Sequence, residues 1–203
     1  MDVKVIGAGV SGLSTGIRLL EAGFNVTIIT DKLSPETVSD TAAAWWYPFL
    51  AEPLEKTNRW SSETFDELIR LMSEEGVECI TMRLGREYLV EECESPGWSD
   101  DIHHFRILDE SEIAEGYSFG WEIEAPVIEM HLYMPWLKSR FEDLGGAIEI
   151  REVVEIEDIE GRVVVNCTGI GSRELCDDDS VIPVRGQIIY IEQDPGFGRF
   201  DQQ

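Results

Sequence analysis

The first residues whose types and spacing could do chemistry are Gly7-Ala8-Gly9-Val10-Ser11-Gly12. Each glycine in this G-x-G-x-x-G run has a physical task. Gly7 permits a tight turn, Gly9 lets a pyrophosphate approach the backbone, and Gly12 lets a helix pack close to a strand. Phosphate oxygens would then sit at the positive end of that helix, facing free N–H groups. Glycine clusters also make ordinary turns, so context decides. Here an apolar strand pattern, residues 3–6, precedes the run and a helical pattern follows it, which is the context that a dinucleotide site requires. An acid at the end of the second strand should bind the adenosine ribose. Asp31 follows Val26-Thr27-Ile28-Ile29-Thr30; either Thr30 holds the usual acidic position with Asp31 one step late, or Asp31 is a turn residue beside Lys32.

Elements must position these residues. Leu13, Ile17 and Leu20 are spaced three and four apart and predict a helix over 12–22, which Gly23 closes. Residues 26–30 are β-branched, as a buried parallel strand should be. Residues 34–62 lack periodicity and read as a long functional loop. Phe65, Leu68, Ile69 and Met72 mark a helix ending near Gly76; residues 77–130 read as strands and turns, broken at Pro96-Gly97. Met134, Leu137, Phe141 and Leu144 mark another helix, with Pro135 suited to its first turn and Gly145-Gly146 at its end. Strands are expected near 147–156, 162–166 and 186–192. The expected fold is α/β: a Rossmann-like nucleotide domain formed by 1–75 and 131–184, interrupted by a second, β-rich domain formed by 76–130 and 185–203.

Composition narrows the partners. Forty-one acids against 16 bases give a net charge of −25 over 203 residues, so nucleic acid and anionic membrane surfaces are disfavoured. With 43% hydrophobic and 9% aromatic residues the chain is globular despite its charge. A solvated acidic surface is the preferred account of the acids, a salty habitat the weaker one. No apolar run approaches the ~18–20 residues that span a bilayer, and Met1-Asp2-Val3-Lys4 does not open a signal peptide. Cys79, Cys93, Cys167 and Cys176 form no C-x-x-C pair, so reduced thiols and a cytoplasmic location are expected. His103 and His104 are adjacent, and strand neighbours point to opposite faces, so a surface pair is expected and no metal site.

Two later stretches choose between NAD and FAD. Residues 34–40 (SPETVSD) run into Thr41-Ala42-Ala43-Ala44-Trp45-Trp46-Tyr47-Pro48-Phe49, and Val164-Val165-Asn166-Cys167-Thr168-Gly169 leads to Pro183-Val184-Arg185-Gly186-Gln187-Ile188. With the opening GAGVSGLSTG they resemble the D-amino-acid oxidase family, flavoenzymes related to glycine and sarcosine oxidases. The resemblance runs through nearly the whole chain, loosely in the middle, and Tyr47 to Pro53 is most similar to bacterial members. It implies FAD as cofactor, and D-amino acids and molecular oxygen as reactants. A homodimer is compatible with it. Gly7, Ala8, Gly9, Val10, Ser11, Gly12 and Asp31 would serve that cofactor. By matching motifs so would Thr37, Ser39, Ala43, Ala44, Trp45 and Tyr47, with Val153 near the adenine and Thr168 and Gly169 beside the cofactor. Ala44 and Tyr47 stand where some relatives have glycine and glutamine. The small residues Ala42 to Ala44 would let a ring system lie close to the backbone, and the Thr37 and Ser39 hydroxyls could donate to phosphates. Core packing is the competing account of the alanines and of Trp45 and Trp46; Cys167 reads as a packed thiol.

The resemblance also implies what to look for later in a chain: a tyrosine pair, an arginine that grips the substrate carboxylate, and a glycine-rich segment that closes over the flavin. None follows PVRGQI here, so the C-terminal part is expected to be absent, the catalytic residues stay unassigned, and the chain alone is expected to hold FAD weakly or not at all and to turn over no D-amino acid. The expected function is FAD-dependent oxidative deamination of D-amino acids to 2-oxo acids, ammonia and hydrogen peroxide. The alternatives are a related amine oxidase acting on glycine, sarcosine or D-aspartate, a non-catalytic nucleotide-binding remnant, or a plain NAD(P) reductase, which the loop after Asp31 fits poorly.

Overall fold

The computed structural model describes residues 1–48, 51–184 and 186. It opens with strand β1 (Asp2–Ile6), helix α1 (Val10–Glu21) and strand β2 (Asn25–Thr30). β1 and β2 pair in parallel, Ile6 beside Ile29, and Val3, Val5, Ile6, Val26, Ile28 and Ile29 are all buried. A strand covered on both faces loses its polar alternation, which is why VTIIT reads as a continuous apolar run. β6 (Ala147–Ile150) adds to β2 and β7 (Val164–Asn166) to β1, giving a four-stranded parallel sheet in the order β6-β2-β1-β7. One face packs on α1 and α3 (Met130–Asp143), where Gly16 of α1 lies against the Phe141 ring. On the other face Ile6 and Ile29 cluster with Ile159, and Val153, Ile156, Val164 and Leu175 pack around them.

Between β2 and α3 the chain forms the long helix α2 (Leu54–Ser73) and an antiparallel sheet of β3 (Ile80–Leu89), β4 (Phe105–Ile107) and β5 (Phe119–Ile128), in the order β3-β5-β4. Register sets its chemistry. Arg86, Glu122 and Arg106 stand in one cross-strand row. The Glu122 carboxylate accepts from Arg86 Nε at 2.8 Å and Arg106 Nε at 2.9 Å, with His104 Nε2 at 3.1 Å. Glu112 receives Nη2 of Arg86 and both Nη atoms of Arg106. Burial pushes the Glu122 carboxyl up, but Arg106, Arg86 and His104 together hold it at about 2. The opposite face presents Trp121, Ile123 and Ala125 to the core.

The α/β class is the one expected; several boundaries differ. α2 starts at Leu54, inside the stretch that reads as loop, because its first turns carry exposed Leu54 and Trp60 and bury no apolar stripe. Pro135 sits in the second turn of α3, since the helix already begins at Met130. The strand expected over 147–156 stops at Ile150, where its partner β2 ends; Arg151 N–H makes the last ladder bond, to the Thr30 carbonyl at 2.8 Å. The strand expected near 186–192 lies outside the described residues, apart from Gly186, as do Phe49, Arg185, Gln187 and Ile188. His103 stays exposed at an edge contact with Phe65, while His104 turns to Glu122. Among the described residues no cluster of three metal-ligating side chains occurs, and no helix is long and apolar enough to cross a membrane.

Candidate cofactor site

The turn after β1 is built for close backbone approach. Gly7 has φ +99°, and a Cβ there would lie 2.6 Å from the Cys167 carbonyl oxygen, so both conformation and space demand glycine. Its N–H donates to the Ile29 carbonyl at 2.8 Å, tying the turn to β2. At Gly12 a Cβ would overlap the Gly7 carbonyl, so the first turn of α1 presses directly on the strand exit. Gly9 caps α1 with extended backbone, no side chain caps the helix, and no acid lies in its first turn. The N–H groups that begin a helix have no intrahelical acceptor. That of Val10 donates to Ser39 Oγ at 3.0 Å; Ser11 is exposed and Ala8 is buried beneath.

Ser39 reaches α1 because the loop after β2 folds back. Residues Val38–Thr41 form a short 3-10 turn whose N-cap is Thr37. Asp40 closes a capping box with Thr37: its carboxylate accepts from Thr37 N–H at 3.0 Å and Thr37 Oγ1 at 2.6 Å, and from Ser34 Oγ at 2.6 Å. Burial pushes the Asp40 carboxyl up, yet the Ser34 and Thr37 donors outweigh it and hold the group below its ordinary range. The geometry separates two hydroxyls that look equivalent in sequence. The Thr37 proton is committed to Asp40. Ser39 Oγ accepts from Val10, and among the described residues its own proton has no acceptor.

Cys167 and Thr168 form the third side. The Cys167 N–H donates to the Ile6 carbonyl at 2.9 Å, and Thr168 Cα would lie 3.4 Å from a Cβ on Gly7. Thr168 Oγ1 donates to Asn166 Oδ1 at 2.7 Å, and Gly169 (φ +58°) carries the chain onward. Cys167 Sγ lies 3.8 Å from Thr15 Oγ1, a packed position on α1. At the end of β2, Thr30 is buried with its hydroxyl on the Lys32 carbonyl at 2.7 Å. Asp31 is exposed, its carboxylate 3.8 Å from Lys32 Nζ; of the two positions it is the one that carries an acid. Val153 is half-buried over Ile6 and Ile29. The glycine turn, Ser39, Thr168 and Gly169 are thus brought together at one end of the parallel sheet.

The alanine-tryptophan stretch continues from the loop after β2 toward the antiparallel sheet. Ala43 is exposed, and Ala44 has φ +48°, a left-handed conformation that explains why glycine suits this position. The Ile128 N–H donates to the Ala44 carbonyl at 3.0 Å, Trp45 pairs with Val127, and Trp46 N–H reaches the Pro126 carbonyl at 2.8 Å, so the segment runs beside β5. The Trp45 indole lies on Gly85 of β3 and stacks on Tyr47, ring centroids 5.8 Å apart. Tyr47 donates its hydroxyl to the Glu87 carboxylate; burial first, and then this bond, push its pKa well above the ordinary phenol value. Trp46 is a core residue edge-on to Phe65 and Trp98. Beside α1 a cavity of ≈ 560 Å³ opens among Val10, Ser14, Leu68, Tyr133, Trp136 and Leu137.

Comparison with known proteins assigns the family. A family model described as FAD dependent oxidoreductase matches residues 2–202. The chain belongs to that family. Among curated relatives of these oxidoreductases, it is 37% identical over 209 residues to the D-amino-acid oxidase of Dictyostelium discoideum, covering all of this chain and 60% of that protein. It is 39% identical over 206 residues to the D-amino-acid oxidase of Rubrobacter xylanophilus, covering 97% and 60%. The chain therefore spans about 60% of the length of the curated relatives it matches. The L-amino acid deaminase of Proteus myxofaciens shares the fold, with TM-score 0.66 at 18% identity, over 89% of this chain and 48% of that one.

The site fits the family's FAD. A Cβ at Gly9 would crowd the Ser39 hydroxyl at 3.0 Å, the helix start carries no side-chain cap and no acid, and among the described residues the Ser39 hydroxyl proton lacks an acceptor. Asp40 and Ser34 are not among the residues that sequence reasoning singled out. The visible signal was Thr37-x-x-Asp40, a capping-box spacing with aspartate in the acid position. Glu87 had no local signal, because only the fold places it against Tyr47.

Proposed function

We propose that this chain forms the cofactor-cradling part of a D-amino-acid oxidase, acting with molecular oxygen to convert D-amino acids to 2-oxo acids, ammonia and hydrogen peroxide. The observation that carries the reading is the Ser39 hydroxyl, bonded to the Val10 amide at the start of α1 with its own proton unclaimed among the described residues. Gly7, Ala8, Gly9, Val10, Ser11 and Gly12 would hold the diphosphate by backbone N–H and dipole, and Ser39 would donate to it. Asp31 would take the ribose hydroxyls and Val153 the adenine. Thr168, Gly169, Ala43 and Ala44 would line the cofactor mainly through backbone atoms, Thr37 would hold the loop that brings Ser39 to it, and Trp45 and Tyr47 would wall the side toward the antiparallel sheet. FAD, when bound, supplies the two-electron acceptor for the substrate Cα–H. The protein's part is to bind, orient and exclude water.

The same reading divides the protein into a cofactor domain of 1–75 with 131–184 and a substrate domain that begins with 76–130 and resumes at 185. It includes a role in D-amino-acid metabolism, supported by the names of the relatives, and a cytoplasmic location, supported by four free thiols among the described residues; a homodimer is compatible with it. The experiment is a peroxide assay on purified protein, carrying the full length of its gene, with a panel of neutral and acidic D-amino acids, glycine and sarcosine. Yellow protein oxidising neutral D-amino acids is the expected result. Preference for glycine, sarcosine or D-aspartate would move it within the amine oxidases, and well-folded protein without flavin would overturn the reading.

A further inference from the structure

We propose that Asp40 is a positioning residue for the cofactor: by gathering Ser34 and Thr37 it folds the 34–41 loop so that Ser39 meets the Val10 amide with its hydroxyl proton free for a phosphate oxygen. The inference rests on the FAD reading and deepens it, because it names a residue that touches no cofactor atom and yet sets the cradle. Asp40 gathers three donors from two positions, Ser34 Oγ at 2.6 Å, Thr37 N at 3.0 Å and Thr37 Oγ1 at 2.6 Å. Its own backbone N–H returns to the Thr37 carbonyl at 3.1 Å, and Ala42 N–H reaches the Ser39 carbonyl at 3.3 Å, so the turn is pinned on both sides of Ser39.

The chemistry explains why an acid is tolerated beside an anion site. A free carboxylate there would repel phosphate. Asp40 instead faces the hydroxyls and amide of its own loop, and these three hydrogen bonds spread its charge. Ser39 lies one residue away and presents the only loop hydroxyl whose proton is unclaimed among the described residues that bond α1. A hydroxyl accepts and donates at once. With Val10 N–H fixing its oxygen, the remaining proton direction is set by the loop, and therefore by Asp40. Thr37 serves the loop and Ser39 the ligand, although both are hydroxyls of one motif.

The test is calorimetric titration of ADP, which carries the diphosphate without the flavin ring, into the flavin-stripped protein carrying the full length of its gene and into its variants, each checked as folded by circular dichroism. Amide exchange at Val10 is followed by NMR. Asp40→Asn should lose about tenfold or more in ADP affinity and expose the Val10 amide to exchange, since an amide cannot accept all three donors. Ser39→Ala should lose affinity similarly while leaving the Asp40 contacts intact. If Asp40→Asn does not fold, Thr37→Val, which removes one of the three donors at constant shape, should show the same loss in smaller measure. A purely stabilising Asp40 would lower the melting temperature and leave ADP affinity of the folded variant unchanged; that result overturns the proposal. If the unsubstituted protein itself shows no saturable ADP binding while Val10 stays protected, the FAD reading has failed first, and the positioning role falls with it.

Discussion

Replacing Gly85 by alanine should loosen the wall that Trp45 and Tyr47 form. A Cβ at Gly85 would lie 2.6 Å from Trp45 Cζ2 and 2.7 Å from Cη2. Carbon atoms pack comfortably at roughly 3.5–4.0 Å, so the ring must retreat by about 1 Å. It cannot carry its backbone along. The Ala44 carbonyl is held by Ile128 N–H and Trp46 N–H by the Pro126 carbonyl, and Trp46 is locked edge-on between Phe65 and Trp98. Overpacking of this kind costs about 1–3 kcal/mol, and the upper half of that range is expected because both flanks are fixed. Urea denaturation should show a lower midpoint with an unchanged slope, and near-ultraviolet circular dichroism should report the displaced indole. The double variant Gly85→Ala with Trp45→Leu removes the clash. It should be more stable than the two single effects add to, by about 1 kcal/mol or more. Additive effects, or an alanine at 85 that leaves the denaturation curve in place, would refute the packing account of Trp45.

Other outcomes follow from the same contacts. Ala44→Gly should stabilise by about 0.5–1 kcal/mol in thermal melts, because φ +48° strains an alanine by about 1–2 kcal/mol and glycine gives part of that back in chain entropy. Glu122, held at about 2 by Arg106, Arg86 and His104, has a depressed folded-state pKa. Its contribution is complete above the ordinary carboxylate range and is lost as pH falls from about 4.5 toward about 2. Glu122→Gln should therefore flatten the difference in stability against pH across that window, and an unchanged acid profile would argue against the ion row. The net charge of −25 should make stability rise with sodium chloride, most steeply as the Debye length shrinks from about 10 Å at 0.1 M to about 3 Å at 1 M; a flat melting temperature over that range would contradict it.

Legibility in the sequence followed the range of the interactions. β1, α1, β2 and the glycine turn were readable because their determinants are local: apolar runs, three-and-four spacing and glycines where backbones meet. β6 was overextended because a strand ends where its partner ends, and β2 stops at Thr30, a fact no window around 147–156 contains. α2 was cut short for the complementary reason: Leu54 and Trp60 are exposed, so the first turns obey helical hydrogen bonding without a buried stripe to announce it. At the site the same division holds. Gly7, Gly9 and Gly12 carry their reason in their spacing, whereas Thr37 and Ser39 look alike until the fold hands the Thr37 proton to Asp40 and brings Val10 to Ser39. A hydroxyl's role depends on which of its bonds is already taken, and that depends on a residue 29 positions away. Motif resemblance implies only that the loop faces the cofactor; the geometry distinguishes the residue that would touch the phosphate from the one that holds the loop in place.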